Sequence, residues 1–254
     1  MIDIHCHILP SFDDGPKQIH DCIVMAKTAV DAGITHLFAT PHHRNGFYDN
    51  SKSSILEGVL ECNKRLQLEN IPLTVHPGQE LMIHREIFIS LKNNELLTLD
   101  DKGKYLLLEL PSCEVPAYTQ EVVYELLLKG ITPIIAHPER NWSFLENNNL
   151  LFTLVQEGAL TQLTSGSIIG HFGKKVKSFS EKIIKHNLAH FVATDAHNIG
   201  TRGFCLHDAY EMITKKFGID RTFYFRENAE LLIRGQHPYI EKPIPIKRKR
   251  LGVF

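Results

Sequence analysis

Short runs rich in Ile, Val and Leu alternate along this chain with amphipathic helical stretches, and the alternation recurs about seven times, a pattern of crossover units. Strands are expected at residues 2–5, 34–40, 73–77, 104–110, 132–136, 160–164 and 191–194. Between them Ile19, Cys22, Ile23, Ala26 and Val30 repeat at helical spacing, as do Val122, Val123, Leu126 and Leu127. Gly33, Gly130 and Gly158 each close such a stretch just before the next strand, where a helix is expected to stop and turn. Strand, helix, glycine and strand in that order call for parallel strands joined by helical crossovers. No G-x-G-x-x-G or G-x-x-x-x-G-K-[ST] run follows the first strand, so the usual signs of an open nucleotide-binding sheet are missing.

Where the polar residues fall decides between an open sheet and a closed one. Nearly every strand ends in a potential ligand: His5 and His7, His42, Glu80, Glu109, His137, then Asp195 and His197. An open sheet gathers such groups at one crevice, whereas a barrel brings all its C-terminal strand ends to one rim. The expected fold is an α/β, irregular (β/α)7 TIM-like barrel. At 254 residues it fits a single domain, expected over 1–237, followed by a proline-broken basic tail over 238–254 that contains Lys247-Arg248-Lys249-Arg250.

Composition narrows the function classes. A net charge of −1 gives no global pull toward nucleic acid, and no basic stripe with interleaved aromatics supports a nuclease reading. The longest apolar runs are strand-sized, so no integral membrane segment is expected. Five cysteines, odd in number and without a C-x-x-C pair, suit a reducing cytoplasm better than a disulfide scaffold or a cysteine zinc module.

In an extended strand residues i and i+2 share a side, so His5 and His7 are expected to converge on one object while Ile4 and Cys6 face away. Glu109 follows three leucines, and a carboxylate there is costly to bury unless it is paired or bound to a cation. Imidazole and carboxylate together select hard or borderline divalent ions. His5, His7, Asp14, His42, Glu80, Glu109, His137, Asp195 and His197 are too many for one ion, so two or three ions are expected, with Glu80 as a bridging carboxylate. Manganese, iron, zinc and magnesium all fit such a donor set.

Arg140, Arg202 and Arg44 lie in or near these loops and point to an anionic substrate, most economically a phosphate. The 166–170 loop, with glycine at each end, offers further backbone donors. Neither a cysteine followed by arginine six positions later nor a G-x-S-x-G elbow is present, so attack by metal-bound hydroxide is expected. Phe12, Phe47 and Tyr48 are candidates to line the mouth of the site.

The runs 1–10, Asp13-Asp14-Gly15, Thr40-Pro41-His42-His43, Pro77-Gly78-Gln79-Glu80, Leu108-Glu109-Leu110-Pro111, 135–141, 164–167 and 193–198 together resemble the polymerase-and-histidinol-phosphatase (PHP) superfamily. The closer resemblance is to bacterial manganese-dependent tyrosine phosphatases of capsule and exopolysaccharide clusters. It implies a PHP-type barrel in which His5, His7, Glu80 and Asp195 hold one ion, Glu80, Glu109 and His137 a second, and Asp14, His42 and His197 a third. It further implies Arg140 as the catalytic arginine and Arg202 as a second phosphate-binding one. The implied substrate is the phosphotyrosine tail of a membrane-associated tyrosine autokinase that regulates polysaccharide synthesis. The implied setting is cytoplasmic, near the inner face of the membrane, and a homo-oligomer is compatible with it. Two other readings stand beside this one: a small-molecule phosphatase of the histidinol-phosphate type, and a non-catalytic, metal-stabilised protein that binds the kinase tail.

Overall fold

The computed structural model describes residues 1–246; the run Lys247-Arg248-Lys249-Arg250 lies outside the described residues. Nine strands occur in chain order: β1 (Ile2–Cys6), β2 (His36–Ala39), β3 (His42–His43), β4 (Thr74–Pro77), β5 (Glu80–Met82), β6 (Tyr105–Glu109), β7 (Thr132–Ala136), β8 (Leu160–Thr164) and β9 (Phe191–Ala193). Every pairing among them is parallel. They form a three-stranded sheet, β1-β2-β4, and a six-stranded one, β3-β5-β6-β7-β8-β9.

Two chain breaks explain the division into two sheets. Strands β2 and β3 are halves of one strand position interrupted at 40–41, and β4 and β5 are halves of another interrupted at 78–79. A side chain at Gly78 would bring its Cβ to 2.8 Å from Leu99 Cδ2 and 3.0 Å from Thr40 Cγ2, so glycine is what lets the two breaks nest. The far seam closes where β1 meets β9. There Asp195 N–H donates to His5 O at 2.9 Å, His7 N–H donates to Ala196 O at 2.9 Å, and the Asp3 carboxylate accepts from Thr194 N–H at 2.9 Å. The result is a parallel α/β barrel closed between β1 and β9.

Alternation along the strands sorts the core into two layers. Tyr105, Leu107, Ile134, Ala136, Leu160, Phe191 and Ala193 fill the lumen together with Ile4 and Phe38. Their neighbours Leu106, Leu108, Ile135, Leu163 and Val192 face outward and pack under the helices. Full burial of one such side chain contributes about 1.5–3 kcal/mol before entropy is charged against it. Among the covering helices are Ile19–Asp31, Lys52–Leu68, Thr119–Leu128, Lys174–Lys185 and Leu206–Phe217. Ser51 caps the second of these by accepting from Ser54 N–H at 3.2 Å. Gly33, Gly130 and Gly158 have φ of 81°, 75° and 111°, the left-handed turn expected after the preceding helices.

Two expectations change. Ile4 does not share a side with Cys6: Ile4 belongs to the lumen and Cys6 to the outer layer. The register with β2 shifts between Asp3 and Cys6, and such a bulge reverses which parity points inward. The 166–170 stretch is not a loop of backbone donors but the core of a short helix, Ser165–Ile169, ended by Gly170 at φ 104°. Beyond the last helix, the 238–246 segment runs against the barrel. Tyr239 N–H donates to Asn228 Oδ1 at 2.7 Å, Ile244 N–H donates to His186 O at 2.9 Å, and Arg221 pairs with Glu241 at 2.7 Å.

Candidate metal centre

The strand ends deliver their polar side chains by three local devices. In β6 the lumen parity of Tyr105 and Leu107 simply continues to Glu109. In β1 the bulge turns His5 and His7 inward after Ile4. At the ends of β7 and β9, His137 and Asp195 adopt left-handed φ of 34° and 52°, conformations that non-glycine residues adopt at a cost. His42 and Glu80 are register partners across β3 and β5, so their side chains start opposite one another.

Hydrogen bonds behind the rim fix which imidazole nitrogen faces it. Gln162 Oε1, on β8, lies 2.8 Å from His5 Nδ1, and Asp13 Oδ2 lies 2.6 Å from His7 Nδ1. Both partners are acceptors in this arrangement, so each ring donates from Nδ1 and turns Nε2 toward the rim. Those two Nε2 atoms face each other at 3.1 Å. Around them Glu80 Oε2 lies 3.4 Å from each, while Asp195 Oδ1 lies 3.5 Å from His5 and 3.4 Å from His7. In the same way His197 Nδ1 is engaged by Asp195 O at 2.9 Å, which leaves Nε2 facing Asp14 Oδ1 at 3.1 Å.

This donor set fits divalent cations. Three groups bring ligand atoms within 4.8 Å of one another: His7, Asp14, His42 and His197; His5, His7 and Glu80; and His42, Glu80 and Glu109. His42 Nδ1 and Glu80 Oε2 sit 2.8 Å apart, yet neither makes an aligned hydrogen bond, and Glu109 Oε2 and His197 Nε2 are likewise buried without one. Ligand atoms that converge without aligned hydrogen bonds are arranged for a cation. His137 Nε2 approaches Glu80 Oε1 at 2.8 Å and Glu109 Oε1 at 3.8 Å, on the outer side of the cluster.

The electrostatics are those of opposite charges forced together. Burial pushes the Glu80 carboxyl up, but positive charge on His5 and His42 and the hydrogen bond from His137 hold it well below its ordinary value. Burial pulls His42 down, and the facing Glu80 and Glu109 carboxylates overturn that and raise it to about 10. His197 goes the other way, to about 4, through burial and the stacked His7 ring 3.7 Å away.

Both arginines expected at the phosphate reach the same carboxylate. Arg140 Nη2 lies 2.7 Å from Asp195 Oδ2, and Arg202 bridges Asp195 Oδ1 at 3.2 Å and Asp14 Oδ2 at 3.1 Å. They border a cavity of about 370 Å³ whose other walls include His42, Glu109, His137, Leu110, Phe144 and Phe172. The remaining expectations fare differently. Arg44 turns from this cavity to a neighbouring one, donating to Ser90 Oγ at 2.9 Å and His84 Nε2 at 3.0 Å. Phe12 packs into the outer core over Gly58, whose missing side chain makes room for the ring. Phe47 is 89% exposed, and Tyr48 lies parallel to His42 with centroids 6.3 Å apart. Gln162 and Asp13, which orient the first two histidines, were not expected to do so. The signal was there for Gln162 alone, as an amide on the inward parity of a fully buried strand.

A parallel barrel whose rim gathers imidazoles and carboxylates around a cationic mouth defines a metal-dependent hydrolase. The family model for capsular polysaccharide synthesis proteins CpsB/CapC matches residues 1–234, and the chain belongs to that family. It is 49% identical over 254 residues to the tyrosine-protein phosphatase YwqE of Bacillus subtilis, covering all of both chains. It is 38% identical over 245 residues to CapC of Staphylococcus aureus, covering 96% of this chain and 95% of that one. Among solved structures, one from the work on YwqE of Bacillus subtilis and CpsB of Streptococcus pneumoniae, described as metal-dependent tyrosine phosphatases, superposes with a TM-score of 0.95. It shares 48% identity and covers 98% of this chain and 100% of its own. A β-aspartyl dipeptidase from Fervidobacterium islandicum, at 12% identity and a TM-score of 0.56, shares the barrel fold alone; it covers 96% of this chain and 76% of its own.

Proposed function

We propose that the protein removes phosphate from phosphotyrosines on the tail of a membrane-associated tyrosine autokinase, and so tunes capsular or exopolysaccharide synthesis. It is a metal-dependent protein-tyrosine phosphatase. The observation that carries this reading is the meeting of a cation-ready histidine and carboxylate rim with Arg140 and Arg202 at one cavity. His5, His7, Asp14, His42, Glu80, Glu109, His137, Asp195 and His197 hold two or three divalent ions, with manganese favoured by the family resemblance over iron, zinc or magnesium. When bound, the ions supply Lewis acidity that acidifies water and polarises phosphoryl oxygens.

The chain's own groups do the rest. Arg140 and Arg202 bind the equatorial phosphoryl oxygens and stabilise the charge that builds on them in an in-line displacement. Asp195, paired with both guanidiniums, keeps them aimed. Leu110, Phe144 and Phe172 give the cavity an apolar wall for the tyrosyl ring. The leaving phenol has an ordinary pKa of about 10, so it departs with little help from a general acid. Cys6 takes no part: it is fully buried, burial pushes its thiol well above the ordinary range, and its Sγ donates to Ala196 O at 3.4 Å.

The reaction takes place in the cytoplasm beside the inner membrane face, where such a kinase tail is presented. No described helix is long and apolar enough to cross a membrane. Manganese-dependent phosphate release from a phosphotyrosine peptide, run beside histidinol phosphate, tests the assignment. Preference for histidinol phosphate overturns the substrate, and peptide binding without release overturns the enzyme.

A further inference from the structure

Beside the metal cavity lies a second cleft, of about 350 Å³, between the short helix Trp142–Glu146 and the helix Lys174–Lys185. Trp142, Lys174, Lys175 and Lys182 are among its walls, and Glu146 is its one carboxylate. The two segments that build it also build the metal cavity, since Arg140 and Asn141 precede Trp142 and Phe172 precedes Lys174. Two cation–aromatic contacts span them side by side. The Arg140 guanidinium lies 5.1 Å from the Phe172 ring centre, and Lys175 Nζ lies 5.5 Å from that of Trp142.

The cleft is firmly held. Trp142 N–H donates to Ser112 O at 2.8 Å, Asn141 Oδ1 caps the short helix by accepting from Phe144 N–H at 3.1 Å, and Asn141 Nδ2 donates to Pro111 O at 2.8 Å. Yet Trp142 is 51% exposed, beside lysines that outnumber acids on a chain of net charge −1. An exposed aromatic surface flanked by cations, built on the same two segments as the substrate cavity, suits the chain that carries the substrate rather than the scissile group itself.

We propose that this cleft is a subsite for an anionic side chain, carboxylate or second phosphoryl, borne on the same peptide a few residues from the scissile phosphotyrosine. The proposal rests on the phosphatase reading for its substrate and on the Trp142 cleft for its chemistry. Trp142 supports the peptide backbone or a neighbouring ring, and Lys174, Lys175 and Lys182 pair with the anion.

Two measurements test it. Phosphotyrosine peptides with neutral, Asp/Glu-bearing and second-phosphotyrosine flanks are compared by kcat/KM in the wild type and in the K174A/K175A/K182A variant. The acidic peptides are expected to be preferred about tenfold by the wild type, through KM, and the variant to treat all alike. The carboxylate and phosphoryl arms show which anion the cleft prefers. Because Trp142 is the one tryptophan in the sequence, its fluorescence reports occupancy without turnover. Titration with an acidic peptide carrying unphosphorylated tyrosine is expected to shift the emission of the wild type and not of the variant. Equal kcat/KM for neutral and acidic peptides in the wild type, or an emission shift that survives the triple substitution, overturns the subsite. If no phosphotyrosine peptide is hydrolysed, the function fails, and the titration still decides the cleft.

Discussion

In β6, Tyr105 and Leu107 fill the lower lumen while Glu109, next on the same face, stands at the rim; in β9, Phe191 and Ala193 are followed by Asp195. Both ends of the barrel are thus written in one alternation in these two strands, although at Asp195 the backbone also turns to a φ of 52° as it leaves the floor. At the floor every inward side chain adds to burial. At the rim burial instead raises the cost of charges that only opposite charges or cations offset. The histidines record the difference. His190, just before β9 and facing no charged group, is pulled down to about 3 by burial, whereas His42 is raised to about 10 by Glu80 and Glu109 despite its burial.

Variants at the two ends should therefore fail in different ways. The largest separation is expected from Leu107→Ala against Arg140→Ala. The first should cost about 2–5 kcal/mol of unfolding free energy in denaturant titrations, as cavity-forming core substitutions do. The second should lower kcat/KM on a phosphotyrosine peptide by about 100- to 1,000-fold, the scale for one transition-state donor, with little change in denaturation midpoint. A matching loss of stability in both would erase the distinction.

Next in size is the effect of the ions on stability. Manganese at about 100 times its dissociation constant should add about 2.7 kcal/mol and raise the melting temperature by several degrees. Glu80→Gln should abolish that increment, and Leu107→Ala should keep it. Gln162→Leu sharpens the comparison, because it lies on the lumen face yet serves the rim. It should weaken metal affinity about 10- to 100-fold, as loss of a ligand's orienting partner does, read by calorimetric titration.

The pH dependence of stability sets the two ends apart in a further way. His190 has a folded pKa near 3 and an ordinary value of 6.5, so the unfolded chain binds the extra proton first. Its contribution to stability is whole above pH 6.5 and is lost as pH falls toward 3. His190→Gln should flatten the stability profile in that window, and an unchanged profile would show that His190 is not neutral in the folded state.

Much of the rim was legible because strand periodicity and strand ends are local properties: Glu109 after three leucines and Asp195-Ala196-His197 after an apolar run are visible as text. What stayed hidden was set by distant partners. Whether Ile4 or Cys6 faces the lumen depends on a bulge against β2, and nothing in the run from Met1 to His7 encodes it. Phe12 and Arg44 sit in loops near the ligands, yet one finds Gly58 and the other Ser90 and His84, contacts made across the fold.

The sequence by itself determined the alternation of strand and helix and the residue types at the strand ends, because each follows from spacing within a few residues. Only the tertiary structure decided which nitrogen each histidine presents, that Arg140 and Arg202 share Asp195, and that Trp142 stands open beside lysines next to the metal cavity. Those are matters of ångströms between segments far apart in the chain, and folding alone brings them together.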